Sequence, residues 1–232
     1  MSRKLTASLL VLAAVLANVA FAALGSIFNY PDVLDEPAGQ VLASFREHEG
    51  AVSAWFTVLA LSAALLAPIA IGVGRLSSAR AMRIAVPVGI AAATVQVIGL
   101  LRWPILVPGY AADAANGSAG ARDAFTTASD ILGTALGETL GYLLTATWTT
   151  LVIVALGRRY AGRWFVVLGA ASAGLVLAGV LSPLSLPVID TANFLGYVLW
   201  SVWLIAFAVV ILVHERRAAA APATPSRAAV TS

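Results

Sequence analysis

The stretch that decides the fold is ILGTALGETLGYLLTATWTTLVIVAL, residues 131–156, an apolar run with a single charged residue, Glu138. Its length exceeds the roughly 20 residues that an α-helix needs to cross about 30 Å of hydrocarbon. A charge at the centre of a bilayer costs about 3 kcal/mol or more unless it is paired, neutralised or hydrated. The stretch therefore predicts a membrane-spanning helix, with Glu138 as a candidate functional residue.

The rest of the chain has the composition of a membrane protein. Its 232 residues are 60% hydrophobic and 11% charged, against roughly 45–50% and about 25% in soluble domains. Apolar runs predict one all-α, multi-pass domain over residues 1–217, with six transmembrane helices at about 5–28, 51–74, 84–105, 131–156, 164–183 and 189–213. Helices are expected because backbone polar groups in lipid must be satisfied within the segment. Residues 218–232 lack apolar periodicity and predict a disordered cytoplasmic tail.

The segments between the predicted helices differ in character. The first, 29–50, is acidic, and its second part, 40–48, predicts a short interfacial helix through Val41, Leu42 and Phe45. The longer segment 108–130 is rich in Ala, Gly and Ser, which favours an irregular loop.

The positions of the basic residues predict the orientation. Eleven of the 14 Lys and Arg residues lie at the N-terminus, after the second and fourth helices, and after the sixth. Only Arg46, Arg102 and Arg122 fall on the other side. The positive-inside rule then makes both termini cytoplasmic. With its Ala- and Arg-rich bias, the chain fits the cytoplasmic (inner) membrane of a high-GC bacterium.

The first apolar segment has a second interpretation, as a cleaved signal peptide. Ser2, Arg3 and Lys4 form a basic start, and Ala20-Phe21-Ala22 offers a small-residue cleavage pattern. The apolar run continues to Phe28, beyond the roughly 7–15 residues of a signal-peptide core. We therefore expect a retained helix.

The last four helices contain an internal repeat. Leu140-Gly141-Tyr142, with Leu144 and Trp148, recurs 55 residues later as Leu195-Gly196-Tyr197, with Leu199 and Trp203. Helices three and five match more weakly, since Gly89 and Gly99 recur as Gly169 and Gly179. The pattern predicts a helical hairpin, helices 3–4 and 5–6, used twice in the same orientation.

Polar residues on the fourth helix share one face. Glu138, Tyr142, Thr145 and Thr149 are spaced at i, i+4, i+7 and i+11. One interpretation is an outward-facing pocket or proton-accessible groove lined by hydroxyls. The other is packing, because Thr hydroxyls in membrane helices often bond to their own backbone or to a neighbouring helix.

Arg102 and Gln96 on the third helix are the expected partners of Glu138. Six residues at 100° each place them about 120° apart around the helix, so both cannot face Glu138 squarely. Arg102 has an alternative, which is to extend to the lipid headgroups. Asn193, the repeat counterpart of Glu138, completes the candidate pocket.

Other chemistry finds little support in the sequence. Cysteine is absent, and Glu47-His48-Glu49 lacks the spacing of metal ligands. Neither a Ser/His/Asp set nor paired intramembrane carboxylates occur, which argues against an enzyme. No metal or cofactor is therefore expected. A nucleic-acid partner is not expected either, since the arginines lie between apolar segments.

The Leu-Gly-Tyr motif after Glu138, the Trp that follows it, and the closing stretch FLGYVLWSVWL, residues 194–204, resemble a family of bacterial six-helix membrane proteins known as domain of unknown function 4386 (DUF4386). The resemblance implies the six-helix fold and no mechanism. Two function classes stay open. The first is binding or transport of a small solute or protons around Glu138. The second is a structural or regulatory role through helix packing, with the same chain or another membrane protein as partner.

Overall fold

The fold is seen in a computed structural model that describes residues 1–184 and 187–220. Every regular element in those residues is helical. The α-helices are α1 Arg3–Phe28, α2 Ala38–Glu47, α3 Glu49–Ala64, α4 Leu66–Gly74, α5 Arg80–Ile105, α6 Val107–Ala115, α7 Ala119–Ala128, α8 Gly141–Ala161, α9 Arg163–Ala178 and α10 Pro187–Ala220. A π-helical stretch, Ser129–Leu140, joins α7 to α8. Of the predicted disordered tail, 218–220 end α10 and 221–232 lie outside the described residues.

Within the described chain, six helical stretches are long and apolar enough to cross a membrane. They are Arg3–Phe28, Glu49–Gly74, Arg80–Ala115, Ala119–Ala161, Arg163–Ser182 and Thr191–Ala220, hereafter the first to sixth spans. This confirms the predicted all-α, multi-pass fold with six membrane-spanning helices.

The six spans form a closed ring. Each span packs against its neighbours in sequence, and the sixth packs against the first. Large aromatic side chains fill part of the centre, where the rings of Trp148 and Trp203 lie 6.0 Å apart and Phe165 stacks on Trp203 at 5.2 Å. All three side chains are fully buried. Close packing of this kind rigidifies the six-span bundle, because protein interiors at crystal-like density tolerate little rearrangement.

Helices α2, α6 and α7 pack together at the end of the bundle opposite the chain termini. Their shared core is aromatic, with Phe28, Phe45, Phe56, Trp103 and Phe125 buried in one cluster. The rings of Phe56 and Trp103 stack at 4.7 Å, and Phe28 meets Trp103 edge-on at 5.2 Å. We call this group the aromatic cap.

The aromatic cap corrects one prediction and refines another. Segment 108–130 is not an irregular loop, because α6 and α7 occupy most of it. Its alanines are strong helix formers, Ser118 caps α7 by accepting from the Ala121 amide at 3.3 Å, and Phe125 is buried in the cap. The predicted short helix exists as α2, but its apolar residues Val41, Leu42 and Phe45 are buried in the cap.

Candidate functional site

Glu138 lies in the π-helical stretch Ser129–Leu140. Such helices are rare, usually a single turn long, and frequent at functional sites. Gly99 of α5 presses against this stretch, since a Cβ at position 99 would lie 2.7 Å from Cα of Gly137 and 2.8 Å from the Leu132 carbonyl oxygen. Small residues allow such backbone contact between membrane helices. The segment that carries Glu138 is therefore a widened helix in direct contact with the third span.

Arg102 is enclosed by protein at this point. Its side chain is 7% exposed, and Nη1 donates to the Gly99 carbonyl at 2.7 Å. A Cβ at position 133 would lie 2.6 Å from Nη2, so the guanidinium rests directly on the backbone of Gly133. Its Nε is buried and has no hydrogen-bond partner among the described residues. Arg102 is thus enclosed within the bundle.

Several groups lie within electrostatic range of the Arg102 guanidinium, namely Tyr30, Glu138 and Tyr142. Tyr30 follows the first span and packs edge-on against Phe56 at 5.2 Å. Burial raises the pKa of Tyr30, the charge of Glu138 raises it further, and the charge of Arg102 opposes both. A carboxylate, a guanidinium and phenols therefore lie near one another at the end of the bundle that carries the aromatic cap.

Gln96 contacts the fourth span on the C-terminal side of Glu138. Its Nε2 donates to Oγ1 of Thr145 at 2.9 Å. A Cβ at position 141 would lie 3.0 Å from Cγ of Gln96, so Gly141 makes room for this side chain. Tyr197 of the sixth span also lies close to the Thr145 hydroxyl. Thr145 therefore links the third and fourth spans and lies beside the sixth.

Thr149 and Asn193 take part in packing between spans. Oγ1 of Thr149 donates to the Thr145 carbonyl at 2.9 Å and accepts from Nε1 of Trp200 at 2.9 Å. Nδ2 of Asn193 donates to the Val176 carbonyl at 2.9 Å, which fastens the sixth span to the fifth. Side-chain hydrogen bonds of this kind commonly hold membrane helices together.

A family described as a domain of unknown function (DUF4386) matches residues 5–208, most of the chain. The chain belongs to the DUF4386 family. The sequence resemblance is thereby confirmed. Neither the curated proteins nor the solved structures give a match.

Within the DUF4386 match lie all six residues of the predicted pocket, and the structure distributes them over three places. Arg102, Glu138 and Tyr142 share one electrostatic neighbourhood, Gln96 and Thr145 pair one step deeper, and Asn193 bonds to the fifth span. Tyr30 and Tyr197 were not predicted. Tyr197 had a signal, as the repeat counterpart of Tyr142, whereas Tyr30 had none beyond its place at the end of the first span.

Two surface grooves lie at the opposite end of this DUF4386 protein, away from Glu138. One is lined by residues of α1 and α10, including Lys4 and Arg216, and the other includes Tyr160 and His214. In residues 1–184 and 187–220, no three His, Cys, Asp or Glu side chains are grouped to hold a metal ion.

Proposed function

We propose that this DUF4386 protein binds a small solute or a proton at the cluster of Arg102 and Glu138 with Tyr30, Tyr142 and Tyr197, hereafter the Arg102 cluster. One observation carries the proposal: Nε of Arg102 is buried without an acceptor among the described residues. An unsatisfied buried donor costs about 1–3 kcal/mol, and more on a charged group. A small molecule that supplies an acceptor would remove that cost.

Polar groups continue from the Arg102 cluster along the fourth span, away from Tyr30 and the aromatic cap. Thr145 with Gln96, and then Thr149 with Trp200, follow in order down the fourth span. Asn18 continues the series, since its Nδ2 donates to Oγ of Ser201 at 2.9 Å. The fully buried rings of Trp203, Phe165 and Phe207 pack together beyond this level. A polar track that runs from the Arg102 cluster to an apolar plug supports a binding site in a transporter or receptor.

We further propose that both termini are cytoplasmic and that the protein resides in the inner membrane of a bacterium. The asymmetric distribution of Lys and Arg supports this orientation. At the end of the bundle that holds the termini, Nη1 of Arg75 donates to the Met1 carbonyl at 3.3 Å, and Lys4 and Arg216 line one groove. Basic residues that are distant in sequence thus gather at one end, as expected for the cytoplasmic face.

The proposed duplication of the helical hairpin is supported by corresponding contacts. A Cβ at Gly89 would lie 2.7 Å from Cδ1 of Trp148, and a Cβ at Gly169 would lie 2.8 Å from Nε1 of Trp203. Both pairs join positions that the repeat makes equivalent. Gly141 and its counterpart Gly196 also both pack closely on the preceding span, Gly141 on the Gln96 side chain and Gly196 on the backbone nitrogen of Val176.

A structural or regulatory role is the second candidate function. It is favoured by the use of Asn193 and Thr149 in bonds between spans. Apolar side chains also remain exposed on the outer faces of the helices, Val154 and Val167 among them at 66% each. Lipid covers such faces in a membrane, and a partner helix or a second copy of the chain can do so too.

The proposal is tested by the small molecules that the protein retains. The wild type, Arg102→Gln and Glu138→Gln are extracted with native lipids and compared by native mass spectrometry. We expect a small ligand on the wild type that both variants lose and that Thr94→Val keeps, because Thr94 is exposed and bonds only to its own helix at Ile90.

The proton alternative is measured in parallel. Proteoliposomes with an entrapped pH-sensitive dye should show proton entry with the wild type and none with Glu138→Gln. The absence of both a retained ligand and proton movement in the folded wild type would reject binding and transport in favour of the structural role.

A further inference from the structure

The groove between the first and sixth spans has features that the Arg102 cluster does not explain. It encloses about 470 Å³ and is lined by Lys4, Ser8, Leu212, Glu215, Arg216 and Ala219. Its α10 residues lie beyond residue 208, where the family match ends. The groove also lies at the end of the bundle that carries the termini, far along the first span from Tyr30.

Both signs of charge line this groove. Lys4 and Arg216 supply cationic donors, and Glu215 supplies a carboxylate. Oε2 of Glu215 is buried and receives no hydrogen bond from the described residues. An occupant with an anionic group for Lys4 and Arg216 and, beside it, a cationic N–H group for Glu215 would match all three side chains.

The groove continues into an apolar surface that faces the lipid. Lys4, Ser8 and Leu12 are spaced at i, i+4 and i+8, so they follow one face of α1 towards the middle of the bilayer. Leu12 is 45% exposed, and Ile205, seven residues before Leu212 on the same face of α10, is 40% exposed. A headgroup in the groove would have its acyl chains beside these residues.

We propose that this groove binds an ethanolamine phospholipid, with the phosphate at Lys4 and Arg216 and the ammonium donating to Glu215. Basic pockets between membrane helices on the cytoplasmic side are known lipid-headgroup sites. Glu215 supplies the selectivity. A choline headgroup carries no N–H for the carboxylate, and a glycerol headgroup carries no positive charge. This site is independent of the Arg102 cluster.

The test compares three phospholipids with identical acyl chains and ethanolamine, choline or glycerol headgroups. Each is added to the detergent-purified full chain, and bound lipid is counted by native mass spectrometry. We expect the ethanolamine lipid to be retained in preference to the other two. In Glu215→Gln this preference should fall towards one, while total lipid binding persists, because a neutral amide accepts a weaker hydrogen bond than a carboxylate.

Further variants separate the headgroup contacts. Removing either Lys4 or Arg216 by substitution with Gln should weaken binding about fivefold, the factor that corresponds to about 1 kcal/mol per basic residue. Arg80→Gln is the matched control, since Arg80 is exposed at the start of α5 and does not line the groove.

Several outcomes would overturn the proposal. Equal retention of the three lipids by the wild type, or an unchanged preference in a folded Glu215→Gln variant, would remove the role of the carboxylate. Displacement of the lipid by millimolar soluble phosphoethanolamine would show that a free solute, and not a bilayer lipid, is the occupant.

Discussion

The rings of Tyr142 and Tyr197 meet edge to face with their centroids 5.8 Å apart at an angle of 62°. The two tyrosines close the two Leu-Gly-Tyr motifs of the repeat, 55 positions apart. Trp148 and Trp203, separated by the same offset, also meet, at 6.0 Å and 85°. Contact between corresponding residues is expected when two parallel repeats face each other across an axis along the membrane normal. The proposed Arg102 cluster thus lies beside the contact between the two hairpins.

The first prediction concerns the two glycines under the tryptophans. Gly89→Ala and Gly169→Ala should each destabilise the protein by about 1–3 kcal/mol, because each added methyl group overpacks a fully buried indole ring. Thermal unfolding in detergent measures the loss. If the hairpins are equivalent, the two losses should be similar.

Gly174→Ala is the control for that pair. Gly174 lies in the same helix as Gly169, but a Cβ at position 174 would have open space around it, with nothing within 4 Å. This variant should keep or slightly raise the melting temperature, since Ala is favoured over Gly in helices by about 1 kcal/mol. Equal effects at positions 169 and 174 would contradict the packing argument.

The second prediction separates the threonine that links helices from one that bonds only to its own helix. Thr145→Val removes the acceptor for Gln96 Nε2 and should destabilise the protein by about 1 kcal/mol. Thr150→Val, on the same helix, loses only a bond to the Ala146 carbonyl and should cost less. Equal losses of stability in the two variants would show that the Gln96–Thr145 bond stabilises the protein no more than a bond within one helix.

The third prediction follows from the raised pKa of Tyr30, which burial causes. An unfolded tyrosine loses its proton near pH 10, whereas the folded protein keeps the Tyr30 proton to higher pH. The stabilisation is therefore complete below about pH 10 and declines as the pH rises above it. Melting temperatures measured from about pH 8 to about pH 11 should fall less steeply for Tyr30→Phe than for the wild type. If the melting temperatures of the two proteins fall equally with pH, Tyr30 is not a buried tyrosine with a raised pKa.

The fourth prediction tests the orientation, and the lack of native cysteine makes it direct. Asn116 and Ser78 are both outside the apolar core, and they lie on opposite sides of the third span. In intact cells a cysteine at position 116 should react with a membrane-impermeant maleimide, and one at position 78 should react only after lysis. The reverse pattern would invert the proposed topology.

Sequence predicted the spans because apolar length is a property of each segment alone. It identified Arg102, Gln96 and Glu138 because polar groups in apolar segments are costly and conspicuous. It missed α6 and α7 because their stability depends on packing against α2, which composition does not reveal. It also missed the π-helical stretch, which lies where Gly99 meets Gly137, a contact between different spans. Tyr30 lies near the cluster only in the folded chain, and nothing around it in the sequence predicts that position.

The central claim is that Arg102 and Glu138 act as one site, and a double-mutant cycle tests it most directly. Arg102→Ala alone should destabilise the detergent-solubilised protein by about 3 kcal/mol, since it leaves a carboxylate in a low-dielectric environment. Glu138→Gln in the same chain should recover much of that loss, because Gln needs no counter-charge. As a control, Arg102→Ala and Thr150→Val should have additive effects, as sites without shared partners do.

The decisive measurement is the coupling free energy between positions 102 and 138. It is obtained from thermal unfolding of the wild type, the two single variants and the double variant. We predict a value of about 1 kcal/mol or more, with the double variant more stable than Arg102→Ala. Simple additivity of the two substitutions would contradict the account and separate Glu138 from Arg102.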